Sequence, residues 1–117
     1  MNNKHLGDTG EEIVAKLLKE NGFKILAQNF TCRCGEIDLI AQKNEVVAFV
    51  EVKTRINEYF PTSMVVTKTK QLKMIKTAKN FALKFSLFEH VLRFDVATVT
   101  FKGNNPEVTY IPNAFSL

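Results

Sequence analysis

No apolar run in this sequence approaches the roughly 20 residues that a membrane span requires, and residues 1–10 are too polar to form the apolar core of a secretory signal. Both absences predict a protein that stays in the cytoplasm. Cysteine is scarce: there are two, Cys32 and Cys34, on either side of Arg33. That spacing is too short for an ordinary intrachain disulfide and supplies only half of a zinc site, so reduced, structurally incidental thiols are expected. The two histidines, His5 and His90, have no partners at metal-ligand spacing and read as surface residues. No low-complexity tract and no internal repeat is present. The 117 residues therefore suit one domain, 1–117, with a single core.

What is present is ordinary for a globular chain. Hydrophobic residues make up 45% and charged residues 24%, a balance that argues against disorder except at the ends. Sixteen Lys and Arg stand against twelve Asp and Glu, a net charge of +4, and much of the excess lies between Lys68 and Lys84. A basic concentration of this kind suits a polyanion partner. It equally suits a solvated helix face that keeps the protein soluble.

Asp8 or Thr9 is placed to cap a first helix, with Glu11 and Glu12 near its positive end and Ile13, Val14, Leu17 and Leu18 forming one apolar stripe. Asn21-Gly22 stops it. A strand-like run over 23–30 follows, then two stronger ones over 36–41 and 46–54, joined by a short turn around Lys43-Asn44. Beyond Pro61 a helical pattern covers about 67–85, with Leu72, Ile75, Ala78 and Ala82 inward and Lys70, Lys73, Lys76 and Lys84 largely outward. Strands over 92–101 and 108–111 flank a turn at 103–106. The expected order is helix, three strands, helix, two strands.

The central hairpin carries charge where a core would be expected. With a short turn, Asp38 faces Phe49 and Glu36 faces Glu51, and the period of two puts Glu36, Asp38, Glu51, Lys53 and Arg55 on one side. Asp38 and Glu51 are then diagonal neighbours, about 7 Å apart between backbone positions. The opposite face, Ile37, Leu39, Val50 and Val52, is apolar. Two carboxylates at this spacing form a half-shell for a hard divalent cation such as Mg²⁺ or Mn²⁺, which keeps several waters. A lysine two residues past Glu51 can hold or help to deprotonate one of those waters, as phosphodiester hydrolysis requires. A salt-bridge lattice on an exposed sheet face is the alternative reading.

Asp38 followed by Glu51-Val52-Lys53 resembles the PD-(D/E)xK signature of restriction-endonuclease-like nucleases, with Ile37 in place of the signature's proline. Over nearly the whole chain the sequence resembles the YraN family of small bacterial proteins, itself similar to archaeal Holliday-junction resolvases. Gly7 and Glu11, Asn29 and Arg33, GEIDLIA at 35–41, FVEVKTR at 49–55, Lys70, RFDV at 93–96 and NAF at 113–115 carry that likeness.

The resemblance implies an α/β fold, with a mixed central β-sheet flanked by the two helices and the hairpin and the 92–101 strand in its middle. It implies that Asp38 and Glu51 ligate Mg²⁺ or Mn²⁺, that the Val52 carbonyl adds a ligand, and that Lys53 is the catalytic lysine. Glu11 matches the acid that related nucleases bring from their first helix, and Glu12 would point about 100° away. Lys70 would contact the scissile phosphate and Arg55 a neighbouring one. Lys73 and Arg33 would extend the nucleic-acid contact. The expected activity is metal-dependent endonucleolytic cleavage of DNA, including branched DNA, with a homodimer as the matching assembly. An RNA-processing nuclease, or an inactive nucleic-acid-binding or assembly module that keeps the fold, are the alternatives.

Plainer roles remain open for several of these residues. Glu11 can serve only to complement the helix dipole, and Glu36 can pair with Lys53 or Arg55. Asp95 reads as structural, tying its strand through Arg93 or Arg33. The family pattern asks for no cysteine at 32 or 34.

Overall fold

The computed structural model describes residues 3–56 and 66–116, with side chains from Thr9 onward. Helix α1 (Asn3–Glu20) buries Val14, Ala15 and Leu18 on one stripe. Asp8 and Thr9 lie inside it and do not cap it, because the helix begins a full turn earlier than the polar pair suggested. It ends where expected. Gly22 takes a left-handed φ of 89°, the conformation that costs a side chain-free residue least. The amide of Phe23 then donates to the Leu18 carbonyl (2.9 Å) and that of Gly22 to Lys19 (3.0 Å), which closes the helix end.

Strands β1 (Lys24–Cys32), β2 (Gly35–Lys43) and β3 (Val46–Ile56) form an antiparallel meander. Helix α2 (Lys68–Lys84) then crosses over to β4 (Val91–Lys102), which runs parallel to β3, and β5 (Asn105–Phe115) pairs antiparallel with β4. The result is one mixed five-stranded sheet in chain order, with β2, β3 and β4 as its middle. It is an α/β fold consistent with a restriction-endonuclease-like domain.

Each face of the sheet has its own core. Ile40, Val47, Phe49, Phe94 and Val96 pack with Met74, Ile75, Ala78 and Phe81 of α2, whereas Leu39, Ala41, Ala48, Val50, Ala97 and Val99 pack with α1. This is why 46–50 is a continuous apolar run: both faces of β3 are covered. Phe49 anchors the α2 side, edge-on to Phe81 (6.0 Å) and stacked on Phe94 (5.8 Å).

Several expectations are corrected. Leu72 is 49% exposed, while Met74 and Phe81 carry the buried arc of α2, since a residue two positions before Met74 points some 200° away. The hairpin turn is Asn44-Glu45, with Asn44 at φ 53°. Ile40 consequently faces Phe49 and Leu39 faces Val50, a register two residues from the expected one. Ile37 joins the α2-side core and Leu39 the α1-side core, so the two do not share one apolar face. The last strand is longer than 108–111, reaching Phe115. His90 is half-buried, its Nε2 3.0 Å from the Gln42 amide nitrogen, so it is not a plain surface residue. His5 lies outside the described side chains.

Candidate functional site

The chemistry-bearing residues gather where the β2–β3 ladder stops. Its last pair is Leu39 with Val50. One step further the strands bring Asp38 and Glu51 face to face, and the Val52 amide donates to Asp38 Oδ2 at 2.8 Å. A side-chain acceptor thus takes the place of a ladder carbonyl. The carboxyls are direct neighbours instead of the expected diagonal ones, as the two-residue change of register requires.

Glu51 is only 2% exposed, which rules out a salt-bridge lattice on an open face. A buried carboxylate needs a counter-charge. Two lysines supply it at one oxygen: Lys70 Nζ lies 3.0 Å from Glu51 Oε2, and Lys53 Nζ 3.6 Å from the same atom. The first comes from α2, whose N-cap Thr67 accepts from the Lys70 amide at 3.2 Å; the second follows Glu51 by two along β3. Lys70 is therefore half-buried and inward, unlike the outward lysine that helical periodicity predicted.

Burial, and then the hydrogen bond and charge of Glu51, push the Asp38 carboxyl up to about 8, against the opposing pull of the Val52 amide. The Lys70 ammonium is also raised on balance: desolvation lowers it, but Glu51, Asp38 and Glu36 together outweigh that. Asp38 thus keeps its proton at neutral pH, the ordinary response of a carboxyl held beside another in one partly buried space.

Glu11 reaches this place from α1, close enough for its charge to act on Asp38, whereas Glu12 is exposed. The preference for Glu11 therefore agrees with the geometry. Gly10, which sequence reasoning passed over, explains the approach. A Cβ at that position would overlap Thr54 Oγ1, so the bare glycine lets α1 rest on β3 beside Lys53. A glycine costs a helix interior about 1 kcal/mol against alanine, and that cost was the available signal. Among the described residues no three His, Cys, Asp or Glu side chains are close enough to hold a metal ion by themselves. Asp38 and Glu51 form a pair, with Glu11 at longer range.

The remaining candidates spread around this pair. Arg55 is half-buried two residues past Lys53 on β3, and Arg33 is exposed in the turn between β1 and β2. A cleft of about 390 Å³, lined by Thr31, Cys32, Glu36, Lys70 and Lys73, opens at Lys70, the partner of Glu51. Glu36 is exposed there and its charge acts on Lys70. Cys32 and Cys34 are free thiols, with the Cys34 amide 3.3 Å from Cys32 Sγ.

A larger cleft of about 440 Å³ lies elsewhere, against Leu17, Phe23, Lys43, Arg93 and Tyr110. Its cations serve the scaffold: Lys43 donates to the Asn21 carbonyl at 2.8 Å, and Arg93 holds Asp95. That aspartate has no exposed surface and accepts from Arg93 Nε and Nη2 (both 2.9 Å), from the Tyr110 hydroxyl and from the Asn113 amide (2.9 Å). Its structural reading holds, through Arg93 and not Arg33. Burial and the Asp95 charge raise the Tyr110 phenol above its ordinary range.

Comparison with known proteins adds the kinship of the chain. Residues 10–99 match the model of a family described as "Uncharacterised protein family UPF0102". A UPF0102 protein of Geobacter metallireducens is 42% identical over 118 residues, covering 100% of this chain and 97% of the relative. One from Clostridium perfringens is 40% identical, with 97% and 95% covered, and one from Clostridium tetani is 39% identical, with 98% and 97% covered.

Proposed function

The chain belongs to the UPF0102, or YraN, family, and for this member we propose a metal-dependent endonuclease that hydrolyses phosphodiester bonds of DNA, including branched DNA. One observation carries the reading: Glu51 and Asp38 oppose each other in a partly buried place where the β2–β3 pairing stops, with Lys53 and Lys70 on the same carboxylate. Charge of this density inside a sheet is costly for a structural element. It suits a site that binds a cation and a phosphate in turn.

The donor set fits a hard cation. Asp38 and Glu51 offer two carboxylates, and Mg²⁺ or Mn²⁺ takes one or two such groups while keeping several waters. The proton that Asp38 retains to about 8 marks a place where a divalent cation would relieve like-charge repulsion. When bound, such an ion supplies positive charge to the developing phosphorane and lowers the pKa of a water. The chain's own residues do the rest. Asp38 and Glu51 hold the ion, with the Val52 carbonyl as a further oxygen, and Glu11 orients a water from the α1 side. Lys53 positions the attacking water and takes part in its deprotonation. Arg55, Lys70, Lys73 and Arg33 bind phosphates along the strand. Cutting both strands of a junction calls for two sites, and so for a homodimer. A cytoplasmic place of action belongs to the same reading; among the described residues no helix is long and apolar enough to cross a membrane.

A second reading, a nucleic-acid-binding module without chemistry, is favoured by one observation: Glu51 is already neutralised by lysines. Incubating the purified protein with linear, single-stranded, flapped and four-way DNA, and with matched RNA, with and without Mn²⁺, separates the readings. Cleavage that requires metal supports the enzyme. Binding without cleavage, indifferent to metal apart from ionic screening, supports the module.

A further inference from the structure

We propose, resting on the reading above, that Lys70 is an exchangeable counter-ion: it holds Glu51 while the site lacks a cation, and passes to a phosphate of the nucleic-acid strand when a divalent cation takes Glu51. The asymmetry of the ion pair is the starting point. The Glu51 side chain is 3% exposed and that of Lys70 35%. The carboxylate is fixed inside the sheet, whereas the ammonium reaches it from the water boundary. If one partner leaves, it is the lysine.

The place it would go is adjacent. Lys70 lines the same open cleft as Lys73, and both sit in the first two turns of α2, which has no acidic residue in its first turn. Cations at the positive end of a helix are unfavourable there. For Lys70 that cost is met by Glu51 at 3.0 Å. Once a divalent cation occupies Glu51, Lys53 at 3.6 Å and Lys70 both lose part of their counter-charge. Lys70 then stands beside Lys73 at a helix N-terminus, and a phosphate oxygen is the group that restores its balance. Cation and nucleic acid would therefore bind cooperatively, and by linkage each would tighten the other to the same extent.

Salt dependence reads this exchange, because each lysine that meets a phosphate adds about 0.9 to the slope of log affinity against log salt. Affinity for four-way DNA is measured between about 50 and 200 mM salt, with chelator and with Ca²⁺, which shares the oxygen preference of Mg²⁺; a denaturing gel verifies intact DNA. The parent-minus-variant difference cancels the cation's own binding to DNA. For Lys70→Met that difference is expected near zero in chelator and about 0.9 in Ca²⁺, which is about threefold in affinity over this salt range. For Lys73→Ala, an exposed neighbour, it should be about 0.9 in both. Equal differences for Lys70→Met in both conditions, or none in either, overturn the exchange.

Nitrogen-15 NMR of the parent's lysine ammonium groups needs no variant. The Lys70 signal, slowed in proton exchange by its ion pair, should broaden or move on titration with Ca²⁺. A cation that binds and stabilises the protein while this signal stays unmoved overturns the exchange alone. A parent whose signals and melting temperature ignore Mg²⁺, Mn²⁺ and Ca²⁺ alike overturns the metal site, and the exchange with it.

Discussion

Replacing Asp38 by asparagine should make the metal-free protein more stable at pH 8 and leave it less responsive to metal. The Asp38 carboxyl titrates at about 8 in the fold against an ordinary 3.8, through burial first and the Glu51 carboxyl second. A carboxyl with a raised folded value keeps a proton that the unfolded chain has released. Stability is therefore highest below the unfolded value and falls as pH rises between the two. One whole proton would give a slope of about 1.4 kcal/mol per pH unit. Asp38 is only partly buried, so about half of that is appropriate, or roughly 1 to 1.5 kcal/mol lost between pH 6 and pH 8. For a domain of this size that corresponds to about 5 °C in melting temperature.

Asparagine cannot ionise, and its Oδ1 can accept the Val52 N–H that Asp38 Oδ2 accepts at 2.8 Å. The parent-minus-variant difference therefore isolates residue 38 from every other group that titrates in this range. Calorimetric melts at pH 6 and pH 8 in chelator should show a flatter profile for Asp38→Asn, with the variant melting at or above the parent at pH 8. Mg²⁺ at about ten times its dissociation constant should then raise the parent by about 1.4 kcal/mol and the variant by clearly less. An asparagine variant that melts well below the parent at pH 8 in chelator would overturn this prediction. It would mean that the ionised Asp38 is held by the scaffold.

Other outcomes follow from the same geometry. Glu11→Gln should lower cleavage several-fold and Glu12→Gln should leave it unchanged, because only Glu11 acts on Asp38; steady-state cleavage rates in Mn²⁺ check this. Gly10→Ala should destabilise by about 1 to 3 kcal/mol through overpacking against Thr54, despite the better helix propensity of alanine. Adding Thr54→Ala, which removes the overlapped hydroxyl, should restore most of that loss in urea titrations, whereas Thr54→Val should not. Asp95→Ala strips a fully buried carboxylate from Arg93, Tyr110 and the Asn113 amide and should cost about 3 kcal/mol or more in the same assay.

The legible parts of this protein are those that depend on neighbours in sequence. The hairpin strands, the shared face of Asp38, Glu51 and Lys53, and the Arg93–Asp95 pair all follow from a period of two. The register did not. It depends on whether Lys43-Asn44 or Asn44-Glu45 makes the turn, and Asn44 tolerates the left-handed φ of 53° that settles it. Both choices keep the acids on one side, which is why the site survived the error while the Asp38–Glu51 spacing did not. The inward turn of Lys70 was hidden for another reason. Periodicity assigns a lysine outward by type, whereas its partner, Glu51, lies 19 residues earlier on another element and meets it only through the crossover. Leu72 failed for the converse reason: its type says inside, but the arc set by Met74, Ala78 and Phe81 leaves it in water.

Mn²⁺ anomalous diffraction from crystals of the protein grown with the metal would locate a cation held between Asp38 and Glu51. One strong peak is expected within bonding distance of both carboxylates, with Lys70 Nζ withdrawn from the 3.0 Å at which it stands from Glu51. A map with no peak there at saturating Mn²⁺, and with Lys70 still seated on Glu51, would contradict such a site.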